Sequence, residues 1–177
     1  VQLGSADYHV RTEGGHFNRD EFHKEPDKYT STFRDFTKVT DLLLAGAFWN
    51  PKAPVLFTEE EMKSPEFRIR VIADITCDIN GSVPSTKRAT SIDDPLYDYD
   101  PKTGELFPAF SSPDYVTVMA IDNLPCELPR SASEEFGHDL IDRILRPLLE
   151  VDPEKIIARA TIAENGNLTP YFEYLRD

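Results

Sequence analysis

The sequence predicts an α/β fold in which a parallel sheet is followed by helices. Three apolar or β-branched runs, at residues 42–49, 68–76 and 115–122, have the length and composition of strands. Each run is continuous rather than alternating, which is typical of strands covered on both faces of a parallel sheet. After residue 130 the apolar side chains recur at helical spacing, so only helices are expected there.

The composition limits what the chain can bind. It has 177 residues, of which 40% are hydrophobic, and this suffices for one globular domain with a sizeable core. Its formal net charge of −13 would repel a nucleic-acid backbone or an anionic membrane surface. The apolar run at 42–49 is also far shorter than the roughly 20 residues of a membrane span. We therefore expect neither a nucleic acid nor a membrane as a partner.

The cysteines and histidines predict neither a disulfide framework nor a metal centre. Cys77 and Cys126 have no C-x-x-C partner, and we expect both to be small buried hydrophobic residues. His9, His16 and His23 are evenly spaced, but two glycines interrupt any helix that would align them. Two cysteines in a chain of this size, with no leader-like N-terminal segment, indicate a cytoplasmic location.

Short helices are predicted before and between the strands. Residues 1–31 are polar and rich in turn residues, so we expect mostly loop with one short helix at 19–24. A second short helix is predicted at 32–39. Thr58 and Glu61 have the spacing of a capping box, which predicts that another short helix follows Thr58 directly.

The region after the third strand is predicted to be helical. A long amphipathic helix begins at Ser131 or Ser133, and Pro147 is expected to kink it or end it early. Two further helices are predicted at 153–164 and 169–175.

The change from strands to helices divides the chain. We expect a sheet-forming part over residues 1–128 and a helical part over residues 129–177. Within the first part, segment 80–114 contains prolines and glycines throughout and predicts a turn-rich connection. Neither G-x-G-x-x-G nor G-x-x-x-x-G-K-[ST] occurs, so the chain has no glycine-rich phosphate-binding turn.

Polar side chains follow the second and third predicted strands. Asp74 and Asp78 lie at the end of the second strand, and Asp122, Asn123 and Glu127 follow the third. In a parallel sheet, ligands bind at the carboxyl ends of the strands, which favours a binding site here. The alternative is that Asp and Asn occur here only because turns favour them.

Long blocks around these strand ends resemble one enzyme family. VIADITCDINGSVPSTKRATSIDDPLYDYDP, from residue 71, resembles a segment of the lysine-linked saccharopine dehydrogenases and lysine–ketoglutarate reductases. VMAIDNLPCELPRSASEEFGHDLIDRILRPLL, from residue 118, is similar to the next block of that family. The N-x-P-x-x-x-P-R-[ST]-A-S run within it also resembles alanine dehydrogenase and nicotinamide nucleotide transhydrogenase. Together with residues 41–58, the resemblance covers nearly all of residues 7–177.

The resemblance implies a fold, a reaction and roles for particular residues. It implies that residues 1–128 are the C-terminal half of an NAD(P)-binding Rossmann-like domain with a partial parallel sheet, and that the helical residues 129–177 return to the catalytic domain. It also implies hydride transfer between NAD or NADP and the CH–NH or CH–NH2 carbon of an amino acid, in lysine metabolism. By the same resemblance, Asp78 stabilises a cationic iminium or orients a water, and Asn123 orients the substrate or the carboxamide. Cofactor contacts are implied for five apolar positions, which are Ala47, Phe48, Ile75, Ile121 and Leu124.

The sequence also departs from that family. Family members begin with a catalytic domain that carries a lysine and a histidine, followed by the glycine-rich turn, and neither is present here. We therefore expect a C-terminal portion that is inactive alone, with the missing N-terminal half as its partner and an amino acid or keto acid as substrate. A homo-oligomer is left open. The alternative is a non-catalytic Rossmann-related domain that binds a partner chain or a nucleotide.

Overall fold

A computed structural model describes residues 1–46 and 50–176 and shows two compact units, Val1–Leu124 and Pro125–Asp177. The division lies close to the predicted boundary after residue 128. That the second part returns to a catalytic domain stays a prediction. Within the described residues, no helix is long and apolar enough to cross a membrane.

The first unit is built from short elements. Its described strands are β1 (His9–Arg11), β2 (Tyr29–Ser31), β3 (Leu42–Ala45), β4 (Val71–Asp74), β5 (Tyr97–Tyr99), β6 (Leu106–Pro108) and β7 (Val116–Met119). Its described α-helices are α1 (Ser5–Tyr8), α2 (Arg19–Lys24), α3 (Arg34–Thr37) and α4 (Glu59–Met62). A short 3₁₀-helix lies at Pro26–Lys28, and another, Leu124–Cys126, begins at the last residue of this unit and continues into the second.

The main sheet has the strand order β3-β4-β7-β5-β6. β3 pairs with β4 and β4 pairs with β7, both in parallel, so that Leu43 lies opposite Ile72 and Ile72 opposite Val118. The predicted α/β fold with a partial Rossmann-like parallel sheet is therefore confirmed. β5 and β6 form an antiparallel hairpin that joins the sheet through β7. This hairpin lies in segment 80–114, where the sequence predicted only turns.

The first strand of the sheet, β3, is buried on one face only. Leu43 is buried, whereas Leu42 is 55% exposed and Leu44 is 66% exposed. Val71, which pairs with Leu42, lies on the same face and is also exposed. The prediction that this strand is covered on both faces is wrong for its described residues. Whether the second face of a strand is covered depends on elements from other parts of the chain, which the apolar run itself does not reveal. Residues 47–49 of the predicted strand lie outside the described residues.

Two helices with strong local signals form as predicted. The helix predicted at 19–24 is α2, and the Oδ1 atom of its N-cap residue Asn18 accepts a hydrogen bond from the Glu21 N–H at 3.0 Å. In α4, Thr58 Oγ1 accepts from Glu61 N at 3.1 Å and Glu61 Oε2 accepts from Thr58 N at 2.8 Å. This is the reciprocal pairing of a capping box, which satisfies two N–H groups at the start of the helix.

The second unit consists of helices and one small hairpin. Its described elements are α5 (Pro129–Asp139), a π-helical segment (Leu140–Leu145), α6 (Arg146–Leu149), α7 (Ile156–Ala160), β8 (Ala163–Glu164), β9 (Asn167–Leu168) and a 3₁₀-helix (Pro170–Leu175). The helix predicted at 169–175 is therefore present as 3₁₀ turns that are kinked at Phe172, whose backbone angles are not helical.

The long helix of the second unit changes its hydrogen-bond register before a proline. Arg146 N donates to Ile141 O, five residues back, directly before Pro147. Proline has no N–H, and its ring clashes with the carbonyl four residues back in a regular α-helix. The wider π-helical turn places Pro147 in the first turn of α6, where proline is tolerated, and the helix continues to Leu149.

The helix predicted at 153–164 is wrong in its second half. α7 ends at Ala160, and β8 and β9 then pair antiparallel. Asn165 and Gly166 connect these strands with positive φ angles of 50° and 81°. An Asn-Gly pair is the strongest short-range signal of a two-residue hairpin turn, so the sequence contained the evidence for this turn.

His9 is a buried histidine in the first unit. Its ring centroid lies 4.6 Å from that of Tyr8 and 4.5 Å from that of Phe22. Burial lowers the pKa of His9, and the carbonyls of Ser5 and Pro54 oppose this shift. Neither ring nitrogen has a hydrogen-bond partner of good geometry among the described residues. The folded protein therefore favours the neutral imidazole.

We expect His9 to make folding stability fall with acidification. The unfolded chain binds a proton near the ordinary histidine pKa of 6.5, whereas the folded chain does not. The free energy of unfolding should therefore decrease as the pH falls through about 6.5, until the lowered folded pKa is passed. Urea unfolding at about pH 7.5 and pH 5.5 should show a smaller decrease for His9→Phe than for the parent. His16→Phe, at an exposed position, is the control. Equal decreases in His9→Phe and the parent would contradict this assignment.

Candidate functional site

The carboxyl ends of β4 and β7 form one edge of the sheet. The two strands are parallel neighbours, and Ala73 lies opposite Met119 near their ends. The chain after β4 returns to this edge, where Thr90 N donates to Ala120 O at 2.8 Å and Ala120 N donates to Thr90 Oγ1 at 3.0 Å. The loop that follows β4 is therefore joined to the end of β7.

The last residue of β4, Asp74, has a fully buried carboxylate. Its Oδ1 atom accepts from Thr76 N at 3.1 Å and from Thr76 Oγ1 at 2.7 Å. Its Oδ2 atom accepts from Thr86 Oγ1 at 2.6 Å. We call residues 75–86 the Asp78 loop. Thr76 and Thr86 lie at its two ends, so the Asp74 carboxylate holds both ends at the edge of the sheet.

The tip of the Asp78 loop is a tight turn. Gly81 N donates to Asp78 O at 2.8 Å, and Asn80 N donates to Thr86 O at 3.0 Å. Cys77 and Asn80 have positive φ angles of 55° and 56°. A Cβ atom at Gly81 would lie 2.5 Å from Asp78 Cβ and 2.7 Å from Asp78 O, so only glycine fits this turn without a shift of the backbone.

Lys87, directly after the loop, connects it to the N-terminal end of α4. The Lys87 ammonium donates to Glu59 Oε1 at 2.6 Å and to Asn80 Oδ1 at 3.1 Å. It also lies 5.9 Å from the centre of the Tyr99 ring. Lys87 thus restrains the loop from the residue that follows it in the chain, whereas Asp74 restrains it from the residue that precedes it.

The thiol of Cys77 shows that acidic groups from both strand ends share this edge. Burial raises the pKa of the Cys77 thiol, and the negative charges of Asp74, Asp122 and Asp78 raise it further. The thiol is thus held in its neutral form and donates to Asp74 O at 3.3 Å. Cys77 is only half-buried and Cys126 is exposed, so the prediction that both are buried is wrong.

Asp78 and Asn123 lie at the same sheet edge. Asp78 is half-buried in the loop after β4, and Asn123 is exposed in the turn after β7. The hydrogen bonds of the loop use the Asp74 carboxylate and the Asp78 main chain, and within the described residues no donor reaches the Asp78 carboxylate. The Asp78 carboxylate is therefore available to a ligand, whereas that of Asp74 is not. That the two side chains face one crevice stays a prediction.

The apolar positions predicted to contact a cofactor differ in exposure. Ile75 is 47% exposed directly after β4, and its N–H donates to Ala45 O at 2.8 Å. Ile121 is buried and Leu124 is half-buried. Ala47 and Phe48 lie outside the described residues.

The same loop carries a carboxylate and an exposed apolar side chain, which suit a cationic nitrogen and a flat apolar ring respectively. The Asp78 carboxylate supplies the negative charge, and Ile75 supplies the apolar surface. Among the described residues, no three histidine, cysteine or acidic side chains converge on a point where they would hold a metal ion.

Thr76 and Thr86 are site residues that the sequence analysis missed. The Thr86 hydroxyl reaches a carboxylate 12 residues earlier in the chain. No periodic pattern links two such positions in a loop, so the pairing is visible only in the folded structure.

The parallel strands β3, β4 and β7 have polar loops at their carboxyl ends and are followed by helices later in the chain, which is the arrangement of a Rossmann-like domain. No family model matches the chain. The chain is 30% identical over 166 residues to the alpha-aminoadipic semialdehyde synthase of Arabidopsis thaliana, covering 90% of this chain and 16% of that protein. It is 28% identical over 193 residues to the mitochondrial alpha-aminoadipic semialdehyde synthase of Mus musculus, covering 94% of this chain and 21% of that protein.

A fungal enzyme of related name is similar as well. The chain is 32% identical over 116 residues to the saccharopine dehydrogenase [NAD(+), L-lysine-forming] of Neurospora crassa, covering 64% of this chain and 29% of that protein. The chain belongs to the family of the saccharopine dehydrogenases and alpha-aminoadipic semialdehyde synthases, and the resemblance seen in the sequence is confirmed. It spans less than a third of the length of these relatives.

Proposed function

We propose that this chain is the C-terminal portion of an NAD(P)-dependent oxidoreductase that acts on the CH–NH or CH–NH2 group of an amino acid in lysine metabolism. The observation that carries the proposal is the Asp78 carboxylate, which lies at the carboxyl edge of a parallel sheet with no donor from the described residues. Family membership supports the reaction class, and the name of the Neurospora relative specifies NAD(+) and L-lysine.

In the proposed reaction, residues of this chain would stabilise charge on the substrate nitrogen and would position the substrate and the nicotinamide ring. A bound nicotinamide supplies hydride transfer. The Asp78 carboxylate stabilises positive charge that develops on the substrate nitrogen, because charge interactions are strong in a site that excludes water. The Asn123 amide both donates and accepts hydrogen bonds, and this suits it to orient the substrate or the carboxamide.

The fit of the chain to a nicotinamide cofactor is partial. Ile75 has an exposed side chain at the sheet edge that is suited to one face of the ring. Ile121 is buried, so we propose that it supports the cofactor-binding edge from within the sheet. Leu124, Ala47 and Phe48 keep the cofactor contacts implied by the resemblance. The sequence has no glycine-rich turn for the pyrophosphate, so that contact must come from another polypeptide segment.

We propose that a polypeptide corresponding to the N-terminal part of the relatives supplies this segment, together with the lysine and histidine that move the proton. The exposed apolar residues Leu42, Leu44 and Val71 support a protein partner, because they form a row on one face of the sheet. We refer to this polypeptide as the N-terminal complement. An amino acid or keto acid remains the proposed substrate, and the cytoplasm the proposed location.

The isolated chain is expected to be inactive. Purified alone and mixed with NADH or NADPH and keto acids with or without lysine, it should oxidise no reduced nicotinamide, as followed by absorbance. Co-expression with the N-terminal complement should restore oxidation. Turnover by the chain alone would contradict the first expectation, and an inactive co-purified assembly would contradict the oxidoreductase proposal.

The exposed row of Leu42, Leu44 and Val71 also favours a second candidate function. A non-catalytic domain that only binds a partner chain would use the same apolar face. The two candidates differ at Asp78, because only the oxidoreductase needs a carboxylate there. Substitution of Asp78 in the complemented assembly therefore separates them.

A further inference from the structure

We infer that Asp74 is a positioning residue: its buried carboxylate holds Thr76 and Thr86 and so fixes the loop that presents Asp78. The inference rests on the proposed function for the role of Asp78 in turnover. The restraint on the loop, in contrast, is a property of this chain alone and is tested separately below.

The hydrogen bonds of Asp74 span the whole loop. Thr76 donates twice to Oδ1 and Thr86 donates once to Oδ2, at distances of 2.6–3.1 Å. Hydrogen bonds to an ionised carboxylate are roughly twice as strong as those between neutral groups. No cation pairs with Asp74 among the described residues, so these neutral donors compensate the burial of its charge.

The restraint passes from Thr86 to the tip of the loop. The Thr86 carbonyl accepts from Asn80 N at 3.0 Å, and Asn80 is next to Gly81, whose N–H closes the turn on Asp78 O at 2.8 Å. Among the described residues of the loop, Cys77 and Asn80 adopt the left-handed backbone conformation. This conformation is strained for residues other than glycine and persists only when surrounding contacts hold it. Loss of the Thr86 hydroxyl bond should therefore displace Asp78.

The same chain contains a matched pair that serves as a control. Asp98 on β5 is also fully buried, and its carboxylate accepts from Thr117 Oγ1 at 2.8 Å and from Ser111 N at 2.7 Å. Thr117 lies in β7 at the register of Val71, away from the carboxyl edge. Like the Thr86 hydroxyl, the Thr117 hydroxyl donates a hydrogen bond to a buried carboxylate, but that carboxylate, Asp98, is not hydrogen-bonded to the Asp78 loop among the described residues.

The first test compares variants of the assembly of this chain with the N-terminal complement. Thr86→Val keeps the shape and removes the hydroxyl, and it should lower kcat by about 10- to 100-fold, since a misplacement of about 1 Å can cost about 100-fold. Thr86→Ser, which keeps the hydroxyl, should recover most of this loss. Thr117→Val should leave kcat unchanged, and the KM for the cofactor should change little in all three. Parental kcat in Thr86→Val would overturn the inference.

The second test measures amide hydrogen exchange in the 177-residue chain. Thr86→Val should increase the exchange rates of the Asn80 and Gly81 amides, whereas Thr86→Ser and Thr117→Val should not. Unchanged exchange in Thr86→Val would overturn the inference whether or not the assembly turns over. An inactive parental assembly with faster loop exchange in Thr86→Val would instead contradict the proposed function and support the restraint by Asp74.

Discussion

Asp78→Asn is expected to lower kcat by about 10²- to 10³-fold in the assembly of this chain with its N-terminal complement, the size typical of losing one positioned electrostatic group. The substitution keeps the shape of the side chain and removes its charge. The Asp78 carboxylate receives no hydrogen bond from the described residues, so its charge is free to act on a substrate nitrogen. The affinity for the cofactor should change little, because we propose that the N-terminal complement holds the pyrophosphate.

Steady-state kinetics and cofactor titration together test this expectation. Asp114→Asn is a matched control, because Asp114 is exposed and precedes β7 at the opposite end of that strand. It should have parental kcat. Parental turnover in Asp78→Asn would reduce Asp78 to a turn residue and would favour the non-catalytic alternative.

Gly81→Ala is expected to have the largest effect on folding, a loss of about 1–3 kcal/mol in the free energy of unfolding, as is typical of overpacking. The added methyl group would lie 2.5 Å from Asp78 Cβ and 2.7 Å from Asp78 O. Both atoms belong to the tight turn itself, so neither can move away without opening the Gly81–Asp78 hydrogen bond. The turn should therefore open, and Asp78 should be displaced with it.

Urea unfolding of the 177-residue chain measures this loss. Gly46→Ala is the control in the same unit, because no atom of the described residues lies within 4 Å of its added methyl group. Its free energy of unfolding should stay close to that of the parent. Equal stabilities of Gly81→Ala and Gly46→Ala would show that the turn adapts at no cost.

Local signals predicted the local elements well. The capping box of Thr58 and Glu61 and the short helix α2 are recognisable because all their contacts lie within a few residues. The parallel pairing of β3, β4 and β7 was also predicted, from continuous apolar runs separated by long connections. Since parallel strands end at one edge, the shared location of Asp78 and Asn123 followed from the same pattern.

Elements that depend on distant partners were missed. β5 has the sequence Tyr-Asp-Tyr, and all three of its residues are buried, including Asp98. It forms because Tyr97 pairs with Val118 and the Asp98 carboxylate is met by Thr117. An acidic residue in a proline-rich segment gives no sign of a strand when its donor lies 19 residues away.

The sequence by itself determined the fold class, the family and the edge of the sheet where polar groups collect, because these follow from the order of apolar runs and from blocks of consecutive residues. Only the tertiary structure decided which carboxylate is available to a ligand. Asp74 and Asp78 both lie at the end of the same apolar run in the sequence, but the Asp74 carboxylate accepts hydrogen bonds from the hydroxyls of Thr76 and Thr86. It also decided that Leu42 and Leu44 are exposed. Burial and hydrogen bonding depend on residues that folding brings together from distant parts of the chain, so the sequence of one strand does not reveal them.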